Sequence, residues 1–263
     1  MGTEEIYKKS ICIGPMARYS TDLPLLMKII CKEENKKLLD FDIKVDFSKL
    51  CIYYIEHWDS KLTHRVAPEI LKELHKTLEY FHITYDTKIK KWRNPELGKA
   101  ADWSLVSLIK MKSVDDIFNK DPTKSVMLEL LKYLMGISKH TLYPICYLLL
   151  SRYLPVYNLE KIRNKLQAAE KSISNTLGEN GVLICPPYPI VAPFHRGLFT
   201  KGYNAVFMST FNSLGYPVTL ATVGMSSNGL PIGMQIVGRP YSDRITMAVA
   251  EEVERAFGGW QAP

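Results

Sequence analysis

The stretch GYPVTLATVGMSSNGLPIGMQIVG, residues 215–238, has the pattern of two short strands turned back on each other. Segments 217–224 and 230–238 are apolar and partly β-branched, as strands favour, and Asn228-Gly229 between them suits the positive φ angles of a hairpin turn. Neither segment alternates cleanly between polar and apolar residues, which predicts that helices cover both faces. Just downstream, Ser242 or Asp243 is placed to cap a helix that sets Ile245, Val249 and Val253 on one face and stops at Gly258-Gly259.

Upstream of the hairpin, helical periodicity dominates. Residues 201–214 read as a helix, and Val182-Leu183-Ile184-Cys185 is a fully apolar strand that follows the turn at 178–181 and is stopped by Pro186-Pro187. Helices are expected near 99–112, 124–135, 142–153 and 159–177, and Val66, Ile70, Leu74 and Leu78 mark the buried stripe of another. Residues 51–55 read as a strand, and Ile83 to Tyr85 as a second one. Ser20 or Thr21 can cap a helix through Leu23, Leu26, Met27 and Ile30, with Pro24 tolerated in its first turn. Strands interleaved with helices predict an α/β fold, a mixed sheet flanked by helices, with no internal repeat or linker to mark a domain boundary.

The composition agrees: 263 residues, 46% hydrophobic and 23% charged, can build a substantial core. The net charge of +7 comes from scattered lysines and arginines. The densest run, 88–93, is interleaved with Ile89 and Trp92 and reads as a solvated patch, so no nucleic-acid partner is expected. Five cysteines without C-x-x-C spacing, and no N-x-S/T acceptor, point to a reducing, intracellular compartment. Two acids and two lysines precede any apolar run, so no signal peptide is expected, and Ile6 stands where myristoylation of Gly2 would need Ser or Thr.

Residues 142–156 are the most apolar stretch. Pro144 and Arg152 interrupt it, and it is shorter than the roughly twenty residues of a bilayer crossing, so no transmembrane helix is expected. Two readings remain for it: a helix buried in the core, or a helix lying on a membrane, with Leu142, Tyr143, Tyr147, Leu150 and Tyr153 supplying apolar and aromatic surface.

No phosphate-binding G-x-x-x-x-G-K-[ST], dinucleotide-binding G-x-G-x-x-G, zinc-binding H-E-x-x-H or G-x-S-x-G elbow is present, and the six histidines fall at no metal-ligand spacing. No cofactor and no metal are expected. Ser226-Ser227 looks like a nucleophile pair but sits beside Asn228-Gly229, where a turn role is the simpler one. His195 lies on an extended proline-rich segment that suits a loop better than acid–base work.

Two segments carry the reading further. Gly14-Pro15-Met16-Ala17-Arg18, followed by Asp22-Leu23 and Leu25-Leu26, resembles the element that follows the catalytic core in amidase-signature hydrolases. Residues 215–219, 229–238, Asp243-Arg244 and 251–254 resemble the end of the same family. Within it the likeness is to fatty-acid amide hydrolases: Pro186-Pro187-Tyr188-Pro189, Ala192-Pro193, His195 and the terminal Ala256-Phe257-Gly258-Gly259-Trp260 are similar to theirs.

The resemblance implies a partial amidase-signature fold, in which residues 1–263 form the carboxy-terminal part of one domain. Such hydrolases use a Lys, a bridging Ser and a nucleophilic Ser on a glycine- and serine-rich stretch ahead of the GPMAR element, a Ser–Lys form of activated-nucleophile catalysis. Only thirteen residues precede Gly14 here, and none matches that triad. The expectation is therefore a chain without catalytic residues of its own, inactive alone. Its full-length relatives would cleave fatty-acid amides to fatty acid and amine, with peripheral membrane contact through an apolar cap at residues 142–154. The alternatives are a non-catalytic lipid- or partner-binding remnant, and an enzyme with a new site built from Ser226, Ser227, His195 and nearby lysines.

Overall fold

The computed structural model describes residues 14–58, 63–109, 125–153, 158–194, 197 and 201–261. In chain order these form α1 (Asp22–Ile30), α2 (Glu33–Leu39), β1 (Cys51–Tyr54), α3 (Pro68–Tyr85), β2 (Lys88–Lys91), α4 (Glu96–Ile109), α5 (Val126–Leu134), α6 (Leu142–Tyr153), α7 (Leu159–Leu177), β3 (Gly181–Cys185), α8 (Val206–Leu214), β4 (Val218–Met225), β5 (Pro231–Gly238) and α9 (Asp243–Phe257). The strands make one five-stranded sheet in the order β2-β1-β3-β5-β4. β1 runs parallel to β2 and β3, with Cys51 opposite Lys88 and Gly181, whereas β5 is antiparallel to both β3 and β4. The mixed α/β sheet expected from the sequence is the fold observed.

Side-chain alternation sorts the helices into two layers. Thr219 of β4 lies opposite Ile236 of β5, and its hydroxyl shares a 2.9 Å hydrogen bond with Thr246 of α9. Gln235, one residue along and hence on the other face, donates its side-chain amide to the Phe207 carbonyl of α8 at 2.8 Å. α9 and α3 therefore cover one face, and α8 with α4 and α7 covers the other. Between them lies a core that includes Ile52, Leu74, Phe81, Leu183, Ile184, Phe207, Phe211 and Ile236, all fully buried.

The hairpin forms as the sequence predicts. Ser226 and Leu230 close it: the Ser226 N–H donates to the Leu230 carbonyl at 2.7 Å, and the Leu230 N–H donates to the Ser226 hydroxyl at 3.1 Å. Gly229 takes a φ of +72°, which only glycine adopts without strain. α9 follows, with Ile245, Val249 and Val253 buried and Gly258 ending it at a φ of +85°. Ser242 occupies the cap position, but its hydroxyl donates back to the Arg239 carbonyl rather than capping the helix, and Thr21 likewise makes no capping bond for α1.

Two expectations are corrected. Ile83 to Tyr85 is not a strand but the last turn of α3, which continues until Asp86 takes a left-handed conformation and donates its N–H to the His82 carbonyl. The strand lies further on, in the lysine run 88–91, where Lys88, Lys90 and Lys91 are exposed along the sheet's outer edge and Ile89 alone is half-buried. Nor are both faces of the hairpin covered. β5 is buried along most of its length, but β4 alternates: Thr219, Ala221 and Val223 lie under α9, while Val218, Leu220 and Met225 are exposed, Leu220 at 60%. The α4–α7–α8 layer stops short of β4.

Candidate functional site on an apolar helical hairpin

α5 and α6 form a hairpin beside the main body, held by a small core of its own. Val126, Ile145 and Leu148 are buried there, with Leu130, Tyr133 and Leu149 packed against them. Ser125 caps α5 by accepting the Leu128 N–H at 3.4 Å. The connection turns at Gly136, whose φ is +73°, and is fixed by the Ser138 hydroxyl, which donates to Glu129 at 2.8 Å and accepts the His140 N–H at 2.9 Å. The Ser138 bond, reinforced by Lys132, holds the Glu129 carboxyl below the usual carboxylate range.

Much apolar surface is left outside this small core. Met127, Leu128, Leu131 and Leu134 of α5, and Met135 and Ile137 of the turn, are all at least half exposed. Of the cap candidates read from the sequence, Tyr143, Leu150 and Tyr153 are exposed, whereas Leu142 and Tyr147 are half-buried; Leu154 lies outside the described residues. Sequence reasoning named only the α6 side. The α5 side was signalled by VMLELLKYLMGI, residues 126–137, in which Glu129 and Lys132 are the only charged residues. Lys139 and Arg152 flank the surface, an arrangement suited to an interface with apolar interior and anionic headgroups. Among the described residues, no helix is long and apolar enough to cross a membrane.

The nucleophile candidates come together less well. Ser226 spends its hydroxyl on the turn, and the Ser227 N–H faces Glu69 at 3.4 Å; among the described residues neither serine meets a histidine or lysine. His195 lies outside those residues. Cys185 is fully buried, and burial pushes its thiol up to about 12, so it is no nucleophile at neutral pH. No group of three His, Cys, Asp or Glu among the described residues could hold a metal ion.

The proline-rich segment from Pro186 is firmly placed on the main body. Gln235, buried, donates to the Pro186 carbonyl at 3.2 Å as well as to the Phe207 carbonyl, the Pro189 carbonyl accepts the Ala67 N–H at 2.8 Å, and the Tyr188 hydroxyl donates to the Lys201 carbonyl at 2.9 Å. Phe194, at its far end, is 96% exposed. The segment is thus a fixed strap that delivers a bare aromatic ring to the surface.

A family model described as Amidase matches residues 2–247. The chain belongs to the amidase family. Fatty-acid amide hydrolase 2 of Homo sapiens is 30% identical over 278 residues, covering 100% of this chain and 51% of that protein. Fatty-acid amide hydrolase 2-A of Danio rerio is 30% identical over 267 residues, covering 96% and 49%. Among solved amidase-family structures, one titled fatty acid amide hydrolase superposes with a TM-score of 0.58 at 19% identity, over 98% of this chain and 50% of that one. The amidase fold is therefore shared, and the chain spans about half the length of the curated relatives it matches.

Proposed function

We propose that this chain is the carboxy-terminal half of an amidase-signature hydrolase that cleaves fatty-acid amides to fatty acid and amine, and that the catalytic lysine and serines lie on a complementary half. The observation that carries this reading is the match to fatty-acid amide hydrolase 2 along the whole of the chain but only half of the relative. The roles in the assembled enzyme divide accordingly. The complementary half attacks the amide carbonyl, while this one contributes the Gln235-anchored strap, the sheet beneath it and the apolar α5–α6 hairpin. That hairpin meets a membrane surface inside the cell, from which an acyl chain can enter without crossing water.

The purified chain alone is expected to hydrolyse a long-chain fatty-acid amide no faster than buffer. Turnover by the chain that survives Ser226→Ala and Ser227→Ala would overturn the division of labour, and turnover abolished by those changes would point to the new site instead. Sedimentation with anionic vesicles tests the membrane role. Binding is expected for the wild-type chain, and a loss of about 30-fold or more for the double substitution Leu128→Gln and Leu131→Gln, since the two together remove apolar burial worth ~2–4 kcal/mol. Indifference of the wild-type chain to vesicles refutes the membrane role. A second reading, a lipid-binding protein without catalysis, is favoured by the same exposed hairpin, which needs no nucleophile to act; vesicle binding without hydrolysis, even with the complementary half present, would select it.

A further inference from the structure

The lysines of β2 shield the sheet's outer edge from further pairing, and one of them has a second setting. Register places Lys90 opposite Tyr53 of β1, so the two share a face of the sheet. There Lys90, Arg93, Tyr53, Asn94 and Thr176 line a hollow of about 490 Å³ beside the end of α7. Lys91 borders it too, but its ammonium is spent on Glu56 at 2.5 Å. Asn94 and Thr176 are likewise committed: the Asn94 amide donates to the Thr176 hydroxyl at 2.9 Å and to the Ser172 hydroxyl at 3.1 Å, and Thr176 donates to the Ser172 carbonyl at 3.0 Å. Those bonds fix one wall, and Tyr53, held edge-on by the Trp92 ring at 5.4 Å, supplies another. No carboxylate lines the hollow, and among the described residues neither Lys90 nor Arg93 makes an ion pair. Lys88, by contrast, lies in a separate hollow with Glu79 and Asp86.

We propose that this hollow binds a phosphoryl group, carried either by a free phosphate compound or by the headgroup of an anionic lipid. Its uncommitted charges are both positive, which selects an anion over a cation or a neutral amide. Two unanswered cations match the charge of about −1.5 to −2 on a phosphate monoester at neutral pH, whereas a carboxylate would answer only one. The Arg93 guanidinium offers a planar fork for two phosphate oxygens, and the Lys90 ammonium a point charge for a third. The volume exceeds that of the ion alone and leaves room for the group that carries it. Edge protection accounts for the lysines of β2 but not for Arg93, which lies beyond the end of the strand. The inference does not depend on the chain's being a hydrolase.

Isothermal titration of the full chain with inorganic phosphate, at low salt and neutral pH, tests this. Saturable binding of one phosphate per chain is expected, weakened at least about tenfold by the double substitution Lys90→Ala and Arg93→Ala, because each removes a charge-assisted hydrogen bond. Lys37→Ala with Lys44→Ala removes the same charge from α2 and the loop after it, and should leave phosphate binding unchanged. The absence of saturable binding, or equal weakening by the two double variants, overturns the proposal. Sedimentation with vesicles of phosphatidylcholine and phosphatidic acid then separates the two sources, using a chain that carries Leu128→Gln and Leu131→Gln so that the α5–α6 hairpin does not contribute. Vesicle binding that inorganic phosphate displaces, and that falls about tenfold on adding Lys90→Ala and Arg93→Ala, assigns the site to a lipid headgroup. Saturable phosphate binding by a chain that ignores these vesicles assigns it to a free phosphate compound.

Discussion

At the residue scale, Glu252 ties together the two helices of one layer. It projects from α9 toward the end of α3, where the Tyr80 and Tyr85 hydroxyls each donate to its carboxylate at 2.5 Å and Arg255 donates through Nε and Nη2 at 2.9 and 2.5 Å. Burial pushes this carboxyl up, but the bonds from Arg255, Tyr80 and Tyr85 outweigh it and hold the group below the ordinary range. Burial, with the neighbouring carboxylate, in turn pushes the Tyr80 hydroxyl up to about 12. A carboxyl whose folded value is depressed adds stability above its unfolded value of about 4.3, and that stability is lost as pH falls through the folded value. Glu252→Gln should therefore lower stability by ~1–2 kcal/mol at pH 7, the modest figure reflecting the exposure of Arg255, and the gap from wild type should close toward pH 3. Denaturant melts of both proteins at the two pH values check this, and a gap that stays constant would mean that packing rather than ionisation holds Glu252.

At the element scale, the β4–β5 hairpin contains two glycines that the same substitution should damage for different reasons. Gly229 has open space around it but a φ of +72°, so Gly229→Ala strains only the backbone, by ~1 kcal/mol. Gly238 has an ordinary φ, but an added methyl would lie 2.2 Å from the Ser242 hydroxyl and 2.9 Å from Thr246, which wedges α9 off the sheet. Gly238→Ala should cost more, ~2–3 kcal/mol. Thermal unfolding of both variants tests the order, and a reversed ranking would refute the account. Elements of this kind were legible because their signals are local: a turn dipeptide, a terminal glycine, an i, i+4 stripe. Ile83 and Tyr85 misled because β-branched and aromatic residues also end helices, and the stripe of Leu74, Leu78 and Phe81 ran on to Tyr85. The open face of β4 was illegible because both faces of VTLATVGM are apolar or threonine, so composition could not tell the covered side from the bare one. For the candidate site, the α6 residues were read from the sequence, whereas the α5 residues emerged only when the hairpin showed how little of them its small core buries.

At the scale of the whole molecule, exposed apolar surface gathers at separate places: the α5–α6 hairpin, the outer face of β4, and α1, where Leu25, Ile29 and Ile30 are at least half exposed. Contiguous surface of this sort drives association when nothing covers it. The chain alone should therefore self-associate with rising concentration, and Leu220→Lys, which gives β4 the protection that β2 already has, should raise the soluble monomer fraction about two- to fivefold, a shift of under 1 kcal/mol in association free energy. Analytical ultracentrifugation over a concentration series reads this directly, and an unchanged distribution would show that β4 is not where the copies meet.

The central position of β3 also dictates when the protein can take shape. Residues 51–54 must wait for 181–184 before β1 gains its inner neighbour, and β3 must wait again for β5 at 235–238. Synthesis at about 5–20 residues per second leaves an interval on the order of ten seconds in which β1 and the apolar stripe of α3 have emerged and their partner has not. During that interval Ile52, Leu74 and Phe81, all fully buried at the end, are open to the cell's chaperones and proteases. Completion of the sheet waits for residues 235–238, and a chain interrupted before residue 181 cannot close its core at all.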